Sequence, residues 1–289
     1  MQLPNSYAEN IRKSIEMLCD RSSLLIASQV PSWCNSSILA REVALSPAAN
    51  ALENAKSTGQ LLLTHSFDHL AAFRQLLDPK EPVCSVAIYT CARGTLETAA
   101  ISKWLVDPQI GCAERIRRVF AMRVDSINEQ RKAANANGDA ALADKADKRI
   151  AQVLNEAQGF GVPVDAKKVI GGKPGATAII QQCLQMEMLY RMLSALSHGQ
   201  HWAIRGLSMQ EVKADDTPGI ARTDGKYFEP AVRMNYLAVI AKETVSATCI
   251  ALHANAVFNG WNTVPFINLF EDVFAHLKLG TPRSIWQNQ

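Results

Sequence analysis

Long runs of helical periodicity, separated by proline, glycine and polar turns, constrain the fold of this chain most strongly. In residues 5 to 29 apolar side chains recur on one helix face, as at Ile11, Ile15 and Leu18, and Pro31 follows the run. No series of segments alternates apolar and polar residues in the way that indicates strands. The sequence therefore predicts an all-α protein.

The same pattern predicts seven further helices. The second begins after Ser46-Pro47, a capping residue followed by a favoured first helical residue, and Gly59 is a point at which it can break in two. The predicted ranges are 47–77, 83–106, 110–134, 140–158, 178–198, 231–258 and 265–278. The polar turn at 135–139 joins two of these helices, which we expect to form a hairpin.

Two longer irregular stretches interrupt the helical pattern. Residues 159–177 are rich in glycine, but Gly171-Gly172-Lys173 is followed by proline and no strand precedes it, so a phosphate-binding loop is not expected. This stretch is interpreted as a connector. Residues 205–228 have the composition of a short hairpin or lid.

The chain of 289 residues is long enough to bury a sizeable core. We expect an N-terminal helical portion over 1–80 that packs on a main antiparallel helical bundle over 81–289, or one continuous domain.

Charge and cysteine usage exclude several classes of protein. Lys and Arg number 30 against 27 Asp and Glu, so the balance permits a local anionic partner without indicating a protein that coats nucleic acid. Seven scattered cysteines form no C-x2-C or C-x4-C pair, which favours reduced thiols in a cytoplasmic protein without a cofactor or a structural metal. The N-terminus is too charged for a signal peptide, and no apolar run is long enough to suggest a membrane span.

The segment YRMLSALSHGQHW, residues 190–202, places an arginine, two serines, two histidines and a tryptophan in an otherwise apolar helical pattern. Arg191 and His198 are seven positions apart, which places them on one face about 10 Å apart along the axis, with Ser194 between them. Arginine offers a forked donor to a phosphate, and histidine exchanges a proton near neutral pH. The pair therefore suits metal-independent cleavage of a ribonucleotide. The alternative is structural: His198 followed by Gly199 is also an ordinary helix C-terminus, and Arg191 can pair with a neighbouring carboxylate.

The predicted helix over 83–106 adds a second charged pair. Arg93 and Glu97 are spaced i,i+4 in an otherwise apolar helix. If this helix lies beside the one carrying Arg191, Glu97 is placed to bind Arg191 or to orient His198. A plain pair between Arg93 and Glu97 is the alternative.

Two weaker patterns allow other chemistry. His65 and His69 are one helical turn apart, a workable spacing for metal ligands, although no third ligand is evident and interface or surface histidines are the alternative. A further cluster could hold phosphate or form a solvated helix face. It consists of the four arginines at 115, 117, 118 and 123.

Two sequence fragments taken together resemble a known group. The pattern R-x3-E-x6-W-L-x-D-P begins at Arg93, and the pattern Y-R-x-L-S-x3-H begins at Tyr190. Together they look like a group of bacterial helical proteins that is distantly similar to the HEPN superfamily. Members of that superfamily are helical bundles, and many act as metal-independent ribonucleases in defence or toxin-type systems. Their signature is an arginine and a histidine separated by four to six residues, and six residues separate Arg191 from His198.

The resemblance implies roles for these residues. His198 would be a general acid or base, Arg191 a phosphate ligand and Glu97 a supporting catalytic residue. Candidate substrate-binding residues from the same two segments are Arg93, Tyr190, Ser194 and His201. The resemblance also implies a homodimer, because such enzymes commonly build one site from two protomers.

The sequence thus leads to two hypotheses. The first is a HEPN-like protein that acts on RNA or a nucleotide as a metal-independent endoribonuclease. The second is a non-catalytic all-α module that binds a partner protein or a small ligand, in which Arg191, Glu97 and His198 form an internal polar network. A metal-dependent hydrolase using His65 and His69 is a third possibility.

Overall fold

The computed structural model confirms the helical class of the protein. It describes residues 5–29, 37–78, 84, 86–165, 168–212, 221–223, 226–230 and 234–277. These ranges contain eleven helices and five strands of two to five residues. The helices are α1 Asn5–Gln29, α2 Ile38–Leu45, α3 Ala49–Gln75, α4 Ala87–Val106, α5 Cys112–Ala136, α6 Ala140–Gly159, α7 Ala176–Leu184, α8 Glu187–Ser197, α9 His201–Leu207, α10 Met234–Asn259 and α11 Val264–Leu277.

Three long helices, α3, α4 and α10, pack against one another at the centre of the protein. The first helix, α1, lies against α3 and α11, while α7 and α8 pack on α4. One hydrophobic core runs through all of these contacts, from Ala8 near the N-terminus to Leu277 in α11. Helices on both sides of residue 80 therefore share one core.

The apolar helix α10 is the central element of this core. Its segment Tyr236–Asn259 is long and apolar enough to cross a membrane by length and composition, and 72% of its apolar window is buried inside the protein. No other described helix meets that criterion. Burial of this kind is usual for a helix that is hydrophobic on all sides and surrounded by other helices.

Gly59 does not break α3, contrary to the alternative allowed by the sequence. It is buried within a continuous helix, and its carbonyl accepts a hydrogen bond from Ser102 Oγ of α4 at 2.7 Å. A Cβ atom at this position would lie 2.7 Å from Cγ1 of Val106. The glycine therefore serves close approach of α3 and α4, since any side chain would separate them.

The helix predicted over 178–198 is wrong as a single element. Gln185 adopts a left-handed conformation with φ of 58°, and its amide donates to carbonyls near the end of α7. This residue ends α7, and α8 begins two residues later. The break occurs at glutamine, which is unusual for this conformation, because glycine and asparagine adopt it more readily.

The predicted hairpin between α5 and α6 is present in the structure. The two helices pack along their lengths on either side of the turn at 137–139. Ion pairs join Arg131 to Asp147 at 2.8 Å and Arg123 to Glu156 at 3.0 Å, at increasing distance from the turn. The helices therefore run back along each other.

The two irregular stretches contain short strands. The sequence shows no alternating pattern that predicts them. In the first, β1 Val164–Asp165 pairs with β2 Lys168–Val169. In the second, β3 Met209–Val212, β4 Ala221–Thr223 and β5 Lys226–Pro230 form an antiparallel sheet with the order β3-β5-β4. The predicted short hairpin is thus part of a three-stranded sheet, and residues 213–220 and 224–225 lie outside the described ranges.

Candidate functional site

The polar end of α8 carries the two residues that the sequence singled out. Arg191 lies in the second turn of α8, and His198 follows its last residue as the C-cap. Gly199 then adopts φ of 69°, which turns the chain toward α9. The position of His198 is therefore that of an ordinary helix C-terminus, as the structural alternative predicted.

Arg191 and His198 are both exposed to solvent. The side chain of Arg191 is 65% exposed, and its Nε donates to Oε1 of Glu187, one turn earlier, at 2.7 Å. Ser194, between them in sequence, is half-buried. An exposed arginine and an exposed histidine on one short helix are accessible to a dissolved anion, although Glu187 partly compensates the arginine charge.

Tyr190 connects α8 to the charged pair of α4. Its hydroxyl oxygen accepts from Nη2 of Arg93 at 3.4 Å, and its O–H donates to Oε2 of Glu97 at 3.4 Å. The guanidinium carbon of Arg93 also lies 5.7 Å from the centre of the Tyr190 ring. These contacts are long and individually weak. They join α8 to α4 at a nearly buried position, since Tyr190 itself is only 5% exposed.

Glu97 belongs to this network. Of the arrangements that the sequence left open, the structure shows the pair with Arg93, whose Nη2 lies 3.3 Å from Oε2 of Glu97. Arg191 has Glu187 of its own helix as its ion-pair partner. The condition set by the sequence is met, because α8 packs on α4. The carboxylate that pairs with Arg191 is nevertheless Glu187 and not Glu97.

The corner between α8 and α9 exposes two further side chains. His201 is the first residue of α9 and is exposed. Trp202 is 57% exposed, and its Nε1 donates to Oε1 of Gln200 at 2.8 Å. No role for Trp202 was predicted from the sequence, although a tryptophan beside two histidines in a polar turn can indicate an exposed aromatic ring available for stacking.

Two of the four arginines of α5, Arg115 and Arg118, belong neither to a phosphate patch nor to a solvated face. Arg115 is fully buried and donates to the carbonyls of Leu105, Asp107 and Ile110 at 2.9 to 3.2 Å. Arg118 is 4% exposed and donates to the carbonyl of Trp104 at 2.6 Å. Both alternatives are wrong for these two residues. The last carbonyls of α4 lack donors within the helix, and the guanidinium groups of Arg115 and Arg118 supply those donors.

The His65 and His69 pair does not form a metal centre. The ring of His69 packs on the backbone of α4, where a Cβ atom at Gly94 would lie 2.7 Å from ring atoms. His65 is exposed. Within the described ranges, no group of three or more His, Cys, Asp or Glu side chains is arranged to hold a metal ion.

Comparison with known proteins gives no relative from which a function could be carried over. No family model, curated protein or solved structure matches the chain. Fold and surface therefore define only a helical protein with an exposed arginine, histidine and tryptophan around one helix end.

Proposed function

We propose that the protein is a HEPN-like helical-bundle protein that acts on RNA or a nucleotide as a metal-independent ribonuclease, with Arg191 and His198 at its site. The observation that carries the proposal is their joint exposure on α8. An ion-paired core arginine and a buried capping histidine would have argued against it. The assignment to a HEPN-like class is supported by the sequence resemblance alone. The R-x6-H signature of that superfamily coincides with this exposed pair.

The chemistry assigned to His198 is proton transfer. As a neutral imidazole it accepts the proton of an RNA 2′-hydroxyl, whose oxygen attacks the adjacent phosphorus while the bond to the 5′-oxygen breaks. The products are a 2′,3′-cyclic phosphate and a 5′-hydroxyl, and the proton passes to the leaving oxygen. No metal ion takes part in these steps.

The chemistry assigned to Arg191 is stabilisation of phosphate charge. Nε of Arg191 donates to Glu187. The two Nη groups of this exposed side chain are left to donate to the oxygens of the phosphate. Ser194 and His201 are the neighbouring candidates for substrate contacts. Trp202 adds a ring on which a base can stack.

The proposal gives a positioning role to the network of Arg93, Tyr190 and Glu97, which lies between α8 and α4. Their network joins α4 to α8 and holds the helix that bears Arg191. A substrate-binding role for Arg93 and Tyr190, and a catalytic role for Glu97, require that network to open toward the substrate. Positioning of α8 requires only the contacts already present.

The proposal includes a homodimer. Met188 is 77% exposed and stands one turn before Arg191 on α8. An apolar side chain so exposed beside a polar site suits contact with a second copy. A site built from two copies of α8 would place two Arg191–His198 pairs around one substrate.

The test is cleavage of single-stranded RNA in the presence of EDTA by the wild type and by His198→Ala. We expect cleavage by the wild type, a loss of at least about a hundredfold in the variant, as is typical for removal of a general acid or base, and an unchanged melting temperature. His65→Ala, which removes another exposed histidine on α3, is the matched control and should cleave normally. Equal cleavage by His198→Ala and the wild type would exclude the assigned role.

A second candidate function is a non-catalytic module that binds a partner protein or a small ligand. It is favoured by the charge compensation already in place, since Arg191 pairs with Glu187 and Arg93 pairs with Glu97. It predicts that RNA stays intact at stoichiometric amounts of protein. Wild-type cleavage that depends on His198 would remove this candidate.

A further inference from the structure

A cavity lies between α3, α4, α5 and α6, away from the polar end of α8. Its volume is about 470 Å³, which is within the range of about 300 to 1,000 Å³ that is typical of small-molecule sites. Its floor is apolar and includes the buried side chains of Leu105, Val119, Ile127 and Val153. None of the described lining residues belongs to α7, α8 or α9, so the cavity is separate from the proposed ribonuclease site.

The polar lining of the cavity has one sign of charge. Arg123 of α5 and Arg149 of α6 both line it, and no acidic residue is among the described lining side chains. The amides of Asn54 and Gln130 and the hydroxyl of Ser126 provide neutral donors and acceptors nearby. The cavity therefore presents cationic and hydrogen-bonding groups above an apolar floor.

The positive charge of this lining is only partly compensated. Nη2 of Arg123 lies 3.0 Å from Oε2 of Glu156, and its guanidinium carbon lies 5.2 Å from the centre of the Phe120 ring. Arg149 is exposed, and no carboxylate in the described part of the chain forms an ion pair with it. Arg149 therefore supplies the uncompensated positive charge of the lining, and an oxyanion in the cavity would compensate it.

We propose that this cavity binds a small organic anion whose phosphate or carboxylate group pairs with Arg149 and Arg123 and whose less polar body rests on the aliphatic floor. Arginine binds both kinds of oxyanion through its forked N–H groups. The apolar floor favours an anion with an organic body over a bare inorganic ion. The inference stands independently of the Arg191–His198 chemistry, because the two sites share no residue.

Isothermal titration calorimetry of the 289-residue chain tests the proposal with two matched pairs of probes. Adenosine monophosphate is compared with adenosine, and octanoate with octanol, while inorganic phosphate serves as the bare anion. We expect at least one of the organic anions to bind at least about tenfold more tightly than both its neutral counterpart and inorganic phosphate. The pair that responds identifies phosphate or carboxylate as the preferred group.

Variants locate the binding. Arg149→Gln should weaken it about tenfold or more, since a hydrogen bond to a charged group is lost, while Lys145→Gln, an exposed cation one turn earlier on α6, should leave it unchanged. Ser126→Trp, at an exposed position on the cavity rim, should abolish binding by filling the space.

Three results would overturn the proposal. They are the absence of binding by either organic anion, equal binding of the neutral counterparts, and binding that Arg149→Gln and Ser126→Trp leave unchanged. The same His198→Ala protein used for RNA cleavage should bind the probe normally, so failure at one site is distinguishable from failure at the other.

Discussion

Arg115 of α5 is fully buried, and its Nε donates to Oε2 of Glu42 in α2 at 2.9 Å. The same guanidinium lies 4.4 Å from the centre of the Phe258 ring of α10 and donates to the final carbonyls of α4. One side chain therefore connects four helices. Its charge is tolerated in the core because Glu42, only 12% exposed, and the carbonyl oxygens replace the lost water.

Replacement of Arg115 by methionine should strongly destabilise the protein. The change leaves the Glu42 carboxylate and the carbonyl of Leu105 without their donor, and we expect the free energy of unfolding to fall by about 3 to 5 kcal/mol. Urea denaturation measures this loss. Arg131→Gln, which removes an exposed pair with Asp147, is the control and should cost less than about 1 kcal/mol. Equal effects of the two substitutions would contradict the central position of Arg115.

The Arg93–Glu97–Tyr190 network should contribute modestly to stability. Glu97 is 32% exposed, so the loss of about 3 kcal/mol or more expected for a truly buried pair does not apply. We expect Glu97→Ala and Tyr190→Phe each to lower the free energy of unfolding by about 1 kcal/mol, because the hydrogen bonds removed are long. Leu193→Ala, at a fully buried position of the same helix, should cost about 2 to 5 kcal/mol. A loss from Glu97→Ala as large as that from Leu193→Ala would refute this account of the network.

Stability at acidic pH should depend on Glu114. Hydrogen bonds from Arg117 and then Arg118 lower the pKa of its carboxyl from 4.5 to about 2, against the opposing effect of burial. Because the folded-state pKa lies below the unfolded value, this stabilisation is complete above about pH 4.5 and is lost as the pH falls toward 2. The free energy of unfolding should therefore decline more steeply from pH 5 to pH 2 in the wild type than in Glu114→Gln.

The matched control for that titration is Glu129→Gln, which alters an exposed pair with Lys132. Its decline with pH should parallel that of the wild type. Parallel curves for Glu114→Gln and the wild type would show that the two arginines do not hold the carboxylate.

Gly59 should not tolerate alanine. The added Cβ would meet Cγ1 of Val106 at 2.7 Å, and we expect a net loss of about 1 to 2 kcal/mol despite the better helix propensity of alanine. In α9, Gly206 has no described atom within 4 Å of the added Cβ, so Gly206→Ala should be neutral or stabilising. Thermal unfolding of both variants measures the difference. A stabilised Gly59→Ala protein would mean that α3 and α4 approach less closely than in this structure.

Sequence periodicity was sufficient to predict most of the helices. The runs that became α1, α5, α6 and α11 carry a repeated apolar face and end at proline, glycine or polar turns, which are local signals. The break at Gln185 has no such signal, because a glutamine in a helical pattern gives no indication of a left-handed conformation. Short helices such as α2 and α9 were missed for a related reason, since a run of seven or eight residues barely establishes a period.

The partners of charged residues could not be predicted from spacing. Arg115 and Arg118 looked like members of a surface cluster, and only the position of the α4 C-terminus explains their burial. The exposure of Arg191 and the i,i+4 pair of Arg93 with Glu97 follow from helix geometry and were open to sequence reasoning. The cavity between α3, α4, α5 and α6 depends on tertiary packing and has no signature in the sequence.

The proposed ribonuclease activity of Arg191 and His198 depends on attack by the 2′-hydroxyl of the RNA itself. The most direct measurement is the rate of cleavage, in EDTA, of a single-stranded RNA and of the same oligonucleotide with every 2′-hydroxyl methylated. The account predicts that the RNA is cut to fragments ending in a 2′,3′-cyclic phosphate and that the methylated strand stays intact. Intact RNA, or equal cleavage of both strands, would contradict it.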